Sequence, residues 1–216
     1  MDPALIQKIT IFAIPLIFAI TLHEAAHAFA ARYFGDSTAY MLGRMTLNPL
    51  KHIDPVWTIA VPLGLMLIGS PFLFGAAKPV PVNFGALRNP KRDSIWVAAA
   101  GPGANLIMMI GWAIVWKVLT GIDPSSPEQF LMLVAQAGVL VNALLMVFNL
   151  FPLLPLDGGR IVAGLLPNRL AYQYSRLEPY GMFILVALMF TPVFGWFVWP
   201  LVDISRKAVY SVIGIS

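Results

Sequence analysis

Cysteine is absent from this chain of 216 residues, charged residues make up only 11% of it, and histidine occurs three times. The first absence excludes disulfides and thiolate metal ligands. The scarcity of charge, set against 59% hydrophobic residues, excludes an ordinary soluble domain and makes this a membrane protein. The net charge of +4 is small and scattered through loops, where it sets topology and builds no nucleic-acid surface. No linker, repeat or low-complexity tract divides the chain, so one membrane domain over residues 1–216 is expected.

Apolar runs long enough to span a bilayer recur at 9–31, 94–116, 129–156 and 180–202, the last three without a charge. The first is no cleaved signal peptide, because its apolar stretch is too long and Asp2 sits with Lys8 ahead of it. Residues 193–214 are a candidate sixth segment. Asp203, Arg206, Lys207 and Tyr210 share one helical stripe there, which fits either a surface-lying helix or a span with one polar face. Residues 56–74 are apolar too, but Pro62, Gly64, Gly69 and Pro71 interrupt them. The loops hold β-prone pieces around 38–42 and 45–47, and the proline-rich stretch 78–84 suits an extended edge. The expected fold class is an all-α polytopic membrane protein with short extended or β segments in membrane-associated loops.

What the first run does contain is His23-Glu24-Ala25-Ala26-His27. Apart from Thr10 and Thr21, these are its only polar or charged side chains. Histidines at i and i+4 share a helix face and can grip one zinc ion, with Glu24 on the flank as a general base. Ionisable groups are costly in hydrocarbon, so their presence there marks a function. A catalytic zinc wants three protein ligands. Tyr33 stands where the longer H-E-x-x-H-x-x-G-x-x-H pattern would put a third histidine. Candidates for the third ligand are His52, Asp54, Asp36 and Asp157. Asp157 is favoured because Pro152 and Pro155 end the preceding helix and Gly158-Gly159 let the backbone turn beside a ligand. From local pattern alone, Asp157 can equally be a simple cap of a short helix over 158–166.

For Asp157 to meet the histidines, the helices carrying them must end at the same face. That requires an even number of crossings between them, which makes 56–74 a re-entrant or protein-buried segment. Charge agrees. With no net crossing, ten basic residues lie on one face against Lys8 and Lys117 on the other, leaving Arg206 and Lys207 unassigned. A Lys/Arg excess marks the cytoplasmic side. Trp112, Trp116, Trp196, Trp199 and Arg160 are read as membrane-interface residues.

The HEAAH motif, Gly101-Pro102-Gly103-Ala104-Asn105 and the Asn149…Leu156-Asp157-Gly158 element occur in an order that resembles the site-2 proteases, intramembrane zinc metalloproteases. The resemblance covers most of the chain and is to compact prokaryotic members, without a PDZ or nucleotide-sensing domain. It implies a site-2 protease-like helical core and one Zn2+ held by His23, His27 and Asp157. It further implies Glu24 as catalytic acid/base and Asn149 polarising the scissile carbonyl, with Asn105 a further catalytic candidate. The implied activity is hydrolysis of peptide bonds within or near transmembrane segments, in regulated intramembrane proteolysis or membrane-protein turnover. Partners would be transmembrane protein substrates and the bilayer, with no nucleic acid; the oligomeric state stays open. The expected location is the prokaryotic cell (inner) membrane, as a multi-pass protein with its site toward the cytoplasm. A zinc-handling transporter would string polar residues along several spans, and the other spans are nearly bare of ionisable groups. An inactive scaffold would not need Glu24.

Overall fold

Apolar runs of this length can satisfy their backbone in hydrocarbon only as helices, and helices are what form. The computed structural model describes residues 3–60, 64, 78–121 and 126–215. Three helices carry the bundle: α1 (Pro3–Tyr33), α3 (Pro90–Leu119) and α4 (Glu128–Asn149). Each is long and apolar enough to cross a membrane. Short helices α2 (Thr38–Met41), α5 (Asp157–Leu165) and α6 (Asn168–Ser175) sit among the connections. Helices α7 (Glu178–Met189) and α8 (Pro192–Ile213) complete the described chain. The outer surface is lined with exposed large apolar residues such as Phe12, Phe18, Ile107, Val118 and Phe183. That is a lipid-facing surface, and the protein is an integral membrane protein.

Close approach of the central helices depends on small residues. Ala19, Ala28 and Ala31 on α1 are fully buried. A Cβ on Gly138 of α4 would lie 2.4 Å from the Trp112 ring of α3. Trp112 is therefore a packing residue inside the bundle, not an interface anchor. Trp116 stacks edge-on with Tyr210, while Trp196 and Trp199 are exposed.

Several expectations are refined. The 129–156 run is helical only to Asn149, and the chain then turns through Pro152 and Pro155 before α5. The 180–202 run is not one helix, because the chain bends by 87° between α7 and α8. Pro192 stands at the first turn of α8, where its missing N–H costs nothing. It is α8 that packs on the bundle: Phe194 near its start meets Phe148 of α4 and Phe151 just beyond it, and Tyr210 near its end meets Trp116 of α3. Residues 38–41 form a helical turn instead of a strand, and residues 78–83 belong to no helix or strand. No strand occurs among the described residues. Most of 56–74 lies outside them; Pro55–Ala60 is π-helical. Its flanks meet, since Lys78 N donates to His52 O at 2.9 Å and Arg88 N to Phe34 O at 2.9 Å. The end of α1 and the start of α3 therefore share one end of the bundle.

Candidate metal centre and cleft

Helical spacing puts His23 and His27 on the inner face of α1, with Nε2 atoms 3.0 Å apart. His27 lies six residues before the end of α1, about 9 Å along the axis. The pair can sit there because α3 offers Gly101 opposite them. A Cβ at that position would fall 2.4 Å from His27 Nε2 and 2.6 Å from His23 Cε1. Pro102 follows and has no N–H to give the Ala98 carbonyl, which loosens α3 beside the site. Each ring is fixed from behind. His27 Nδ1 is 2.7 Å from Val97 O, and His23 Nδ1 is 2.6 Å from Asn105 Oδ1.

Asp157 arrives from the other side at the first turn of α5, so its place is within the helix and not at the cap position, which Leu156 takes. The loop 150–156 folds back tightly over this turn. A Cβ on Gly158 would come 2.1 Å from Leu150 O, and one on Gly159 2.3 Å from Leu154 N. Both glycines are needed for backbone to press on backbone, which carries Asp157 Oδ2 to 3.3 Å from each histidine Nε2.

Whether these three atoms fit a metal can be judged from their spacing. Ligands about 2.0 Å from a tetrahedral zinc stand about 3.3 Å from one another, and here the separations are 3.0, 3.3 and 3.3 Å. Asp157 Oδ2 is buried without a hydrogen-bond partner, and both Nδ1 atoms are already engaged, turning Nε2 inward. Borderline nitrogen and hard oxygen donors suit zinc. The residues fit. Of the four candidates for a third ligand, only Asp157 joins His23 and His27 among the described residues. His52 is buried with Nε2 2.9 Å from Thr46 O, Asp54 lies on the cleft wall, and Asp36 is engaged elsewhere.

The triangle opens on a cleft of about 750 Å³ with mostly apolar walls, Ile20, Val82, Phe84, Phe148 and Leu185 among them. Glu24 lines it, and its Oε2 accepts the Val80 N–H at 2.7 Å. Asn149 also lines it, with Nδ2 donating to Leu145 O at 3.0 Å. Asn105 does not reach the cleft; it is wholly buried behind His23. Arg160 is no interface anchor. It lines the cleft, pairs with Glu178 at 3.0 Å and covers the Phe84 ring at 4.7 Å. The 78–83 segment is pinned over the site at Val80 and again at Asn83, whose N–H donates to Asp36 Oδ2 at 2.7 Å. Burial pushes the Asp36 carboxyl up, but hydrogen bonds from Thr38 and Asn83 outweigh it and hold the group below its ordinary range. Val97 and the Val80 N–H escape sequence reasoning because they act through backbone, and Gly101, though part of a quoted motif, acts through the absence of a side chain. Asn142 was also missed, and its signal is an amide inside an apolar run.

A pair of histidines and a carboxylate arranged to take a metal, with a second carboxylate lining the same apolar cleft, is the equipment of a metal-dependent hydrolase. Peptidase family M50 matches residues 117–192. The chain is 36% identical over 208 residues to "Putative zinc metalloprotease YwhC" of Bacillus subtilis, covering 91% of this chain and 87% of that protein. It is 31% identical over 188 residues to "Putative zinc metalloprotease Rip2" of Mycolicibacterium smegmatis, covering 84% and 67%. A Rip2 of Mycobacterium tuberculosis is 32% identical over 189 residues, with the same coverage. No solved structure matches. The chain belongs to peptidase family M50, the site-2 proteases, and is a zinc metalloprotease.

Proposed function

We propose that this protease cleaves transmembrane segments of membrane-protein substrates inside the bilayer, in regulated proteolysis or turnover, with its cleft toward the cytoplasmic face of a prokaryotic cell membrane. The observation that carries the reading is the depth of the ligand triangle, about two turns inside an apolar helical bundle. A membrane segment lies beside that depth, whereas a water-soluble chain would have to be drawn down into it.

His23, His27 and Asp157 would hold the zinc. When bound, zinc supplies Lewis-acid polarisation of the scissile carbonyl and of an attacking water. Glu24 takes the water's proton as its oxygen bonds to the carbonyl carbon, and returns that proton to the amine as the C–N bond breaks. Asn149 spends one amide hydrogen on Leu145 O and has a second to give the developing oxyanion. The apolar walls seat side chains of an unwound substrate. A substrate strand added along 78–83 has few donors to pair with, because Pro79 and Pro81 have no N–H and Val80 gives its own to Glu24.

Glu24→Gln should leave zinc bound and the fold intact while cleavage of a model transmembrane substrate by purified protein falls about 100- to 10,000-fold. A variant retaining half the activity would remove Glu24 from the chemistry.

A further inference from the structure

The two histidine rings are oriented by different means. His27 Nδ1 faces Val97 O at 2.7 Å. A peptide carbonyl only accepts, so Nδ1 must carry the proton and Nε2 keeps its lone pair for a metal. His23 Nδ1 instead faces the side-chain amide of Asn105 at 2.6 Å. An amide can present either its oxygen or its NH2. With the NH2 turned to the ring, Nδ1 would accept, the ring proton would move to Nε2, and the lone pair that binds metal would be lost.

We propose that Asn142 is the positioning residue that decides this choice. Its Nδ2 donates to Gly138 O, one turn back on α4, at 2.8 Å. That carbonyl can only accept, so Asn142 must turn its Oδ1 the other way. There it meets Asn105 Nδ2 at 3.1 Å, which forces the Asn105 oxygen onto His23. The Ala19 carbonyl also takes Asn105 Nδ2, but at 3.4 Å it is near the limit of a hydrogen bond. Asn105 and Asn142 are both 0% exposed, so bulk solvent does not reach these groups. A backbone carbonyl on α4 thus sets, through two amides, the tautomer of a histidine on α1. Asn142 touches neither the cleft nor the ligand triangle.

The inference rests on His23 being a zinc ligand. Zinc affinity of purified full-length protein, measured by chelator competition, tests both. Asn142→Leu should weaken zinc binding about 10- to 100-fold. Asn105→Asp offers His23 Nδ1 an acceptor whichever way it turns, while its other oxygen lies against Asn142 Oδ1. In that background Asn142→Leu removes an oxygen–oxygen contact and should not weaken zinc binding, a non-additive cycle. Equal losses in both backgrounds, or no loss in Asn142→Leu, overturn the proposal and leave a simple helix-packing contact. His23→Ala separates the two readings: retained zinc rejects His23 as a ligand, whereas lost zinc with an unaffected Asn142→Leu rejects only the relay. If Asn142→Leu does not fold, nitrogen-15 spectra of labelled histidines in the wild-type protein decide. A protonated Nδ1 on His23 is expected, and a bare one overturns the proposal.

Discussion

At the scale of single residues, burial separates ligands from look-alikes. His23, His27, His52 and Asp36 are all less than a tenth exposed, yet their partners differ. Asp36 has three hydrogen-bond donors, from Thr38 N, Thr38 Oγ1 and Asn83 N. His52 leans on Thr46 O. Among the described residues, only Asp157 combines a buried oxygen without a hydrogen-bond partner and two imidazole neighbours. Asp157→Ala should therefore lower the zinc content of detergent-purified protein well below one per chain, and His52→Ala should leave it unchanged. Metal analysis with the opposite order would transfer the ligand role to His52.

At the scale of elements, the 78–83 segment is held over the site by hydrogen bonds to several parts of the chain. Its described ties are Lys78 N to His52 O, Val80 N to Glu24, Asn83 N to Asp36, and the Arg44 side chain to Lys78 O and Pro79 O. The Asp36 tie has a pH sign. Its carboxyl is depressed in the folded protein, so the stabilisation is complete above the unfolded value of about 3.9 and is lost as pH falls through the lower folded value. Hydrogen bonds to a charged group are worth about 1.5–3 kcal/mol. In Asp36→Asn, the Asn83 amide should exchange hydrogen about ten-fold faster or more at neutral pH. In wild type the same protection, corrected for intrinsic rate, should fall only in acid below the carboxylate range. Unchanged protection in the variant would show that the segment is held by its other ties.

At the scale of the whole molecule, the hydrogen bond between Arg88 and Phe34 ties the end of α1 to the start of α3, and Asp157 meets the histidines near that same end. We propose on this basis that 56–74 makes no net crossing and that this end is cytoplasmic. At the opposite end, Lys117 Nζ donates to Ile213 O. Placing Arg206 and Lys207 with Lys117 still leaves ten basic residues against four. The absence of cysteine allows a direct test. Cysteines replacing Ser37, Ser94 and Asn168 should resist a membrane-impermeant reagent in intact cells and react in opened membranes, while Thr120→Cys should react in both. Labelling of Ser37→Cys and Ser94→Cys from opposite sides would make 56–74 a span and undo the shared-end topology.

Much of this was legible in the residues themselves. Apolar runs announce spanning helices because hydrocarbon leaves the backbone no alternative, and HEAAH within one run announces a metal because burying those groups is otherwise too costly. The order of the motifs implied, through a family resemblance, that Asp157 joins the histidines, and the structure brings the three together. Other features were decided only by the tertiary structure. The sequence does not say that Gly101 must clear space for two imidazoles, because that depends on how closely α3 meets α1. It does not say that Val80 binds Glu24, because a backbone N–H is the same in every residue. The break between α7 and α8 falls at Thr191-Pro192, but whether it turned the chain depended on α8 finding the flank of the bundle. Spans and chemistry are local properties of side chains. Orientation of a ring, or of an amide behind it, is a property of what lies opposite, and only packing supplies that.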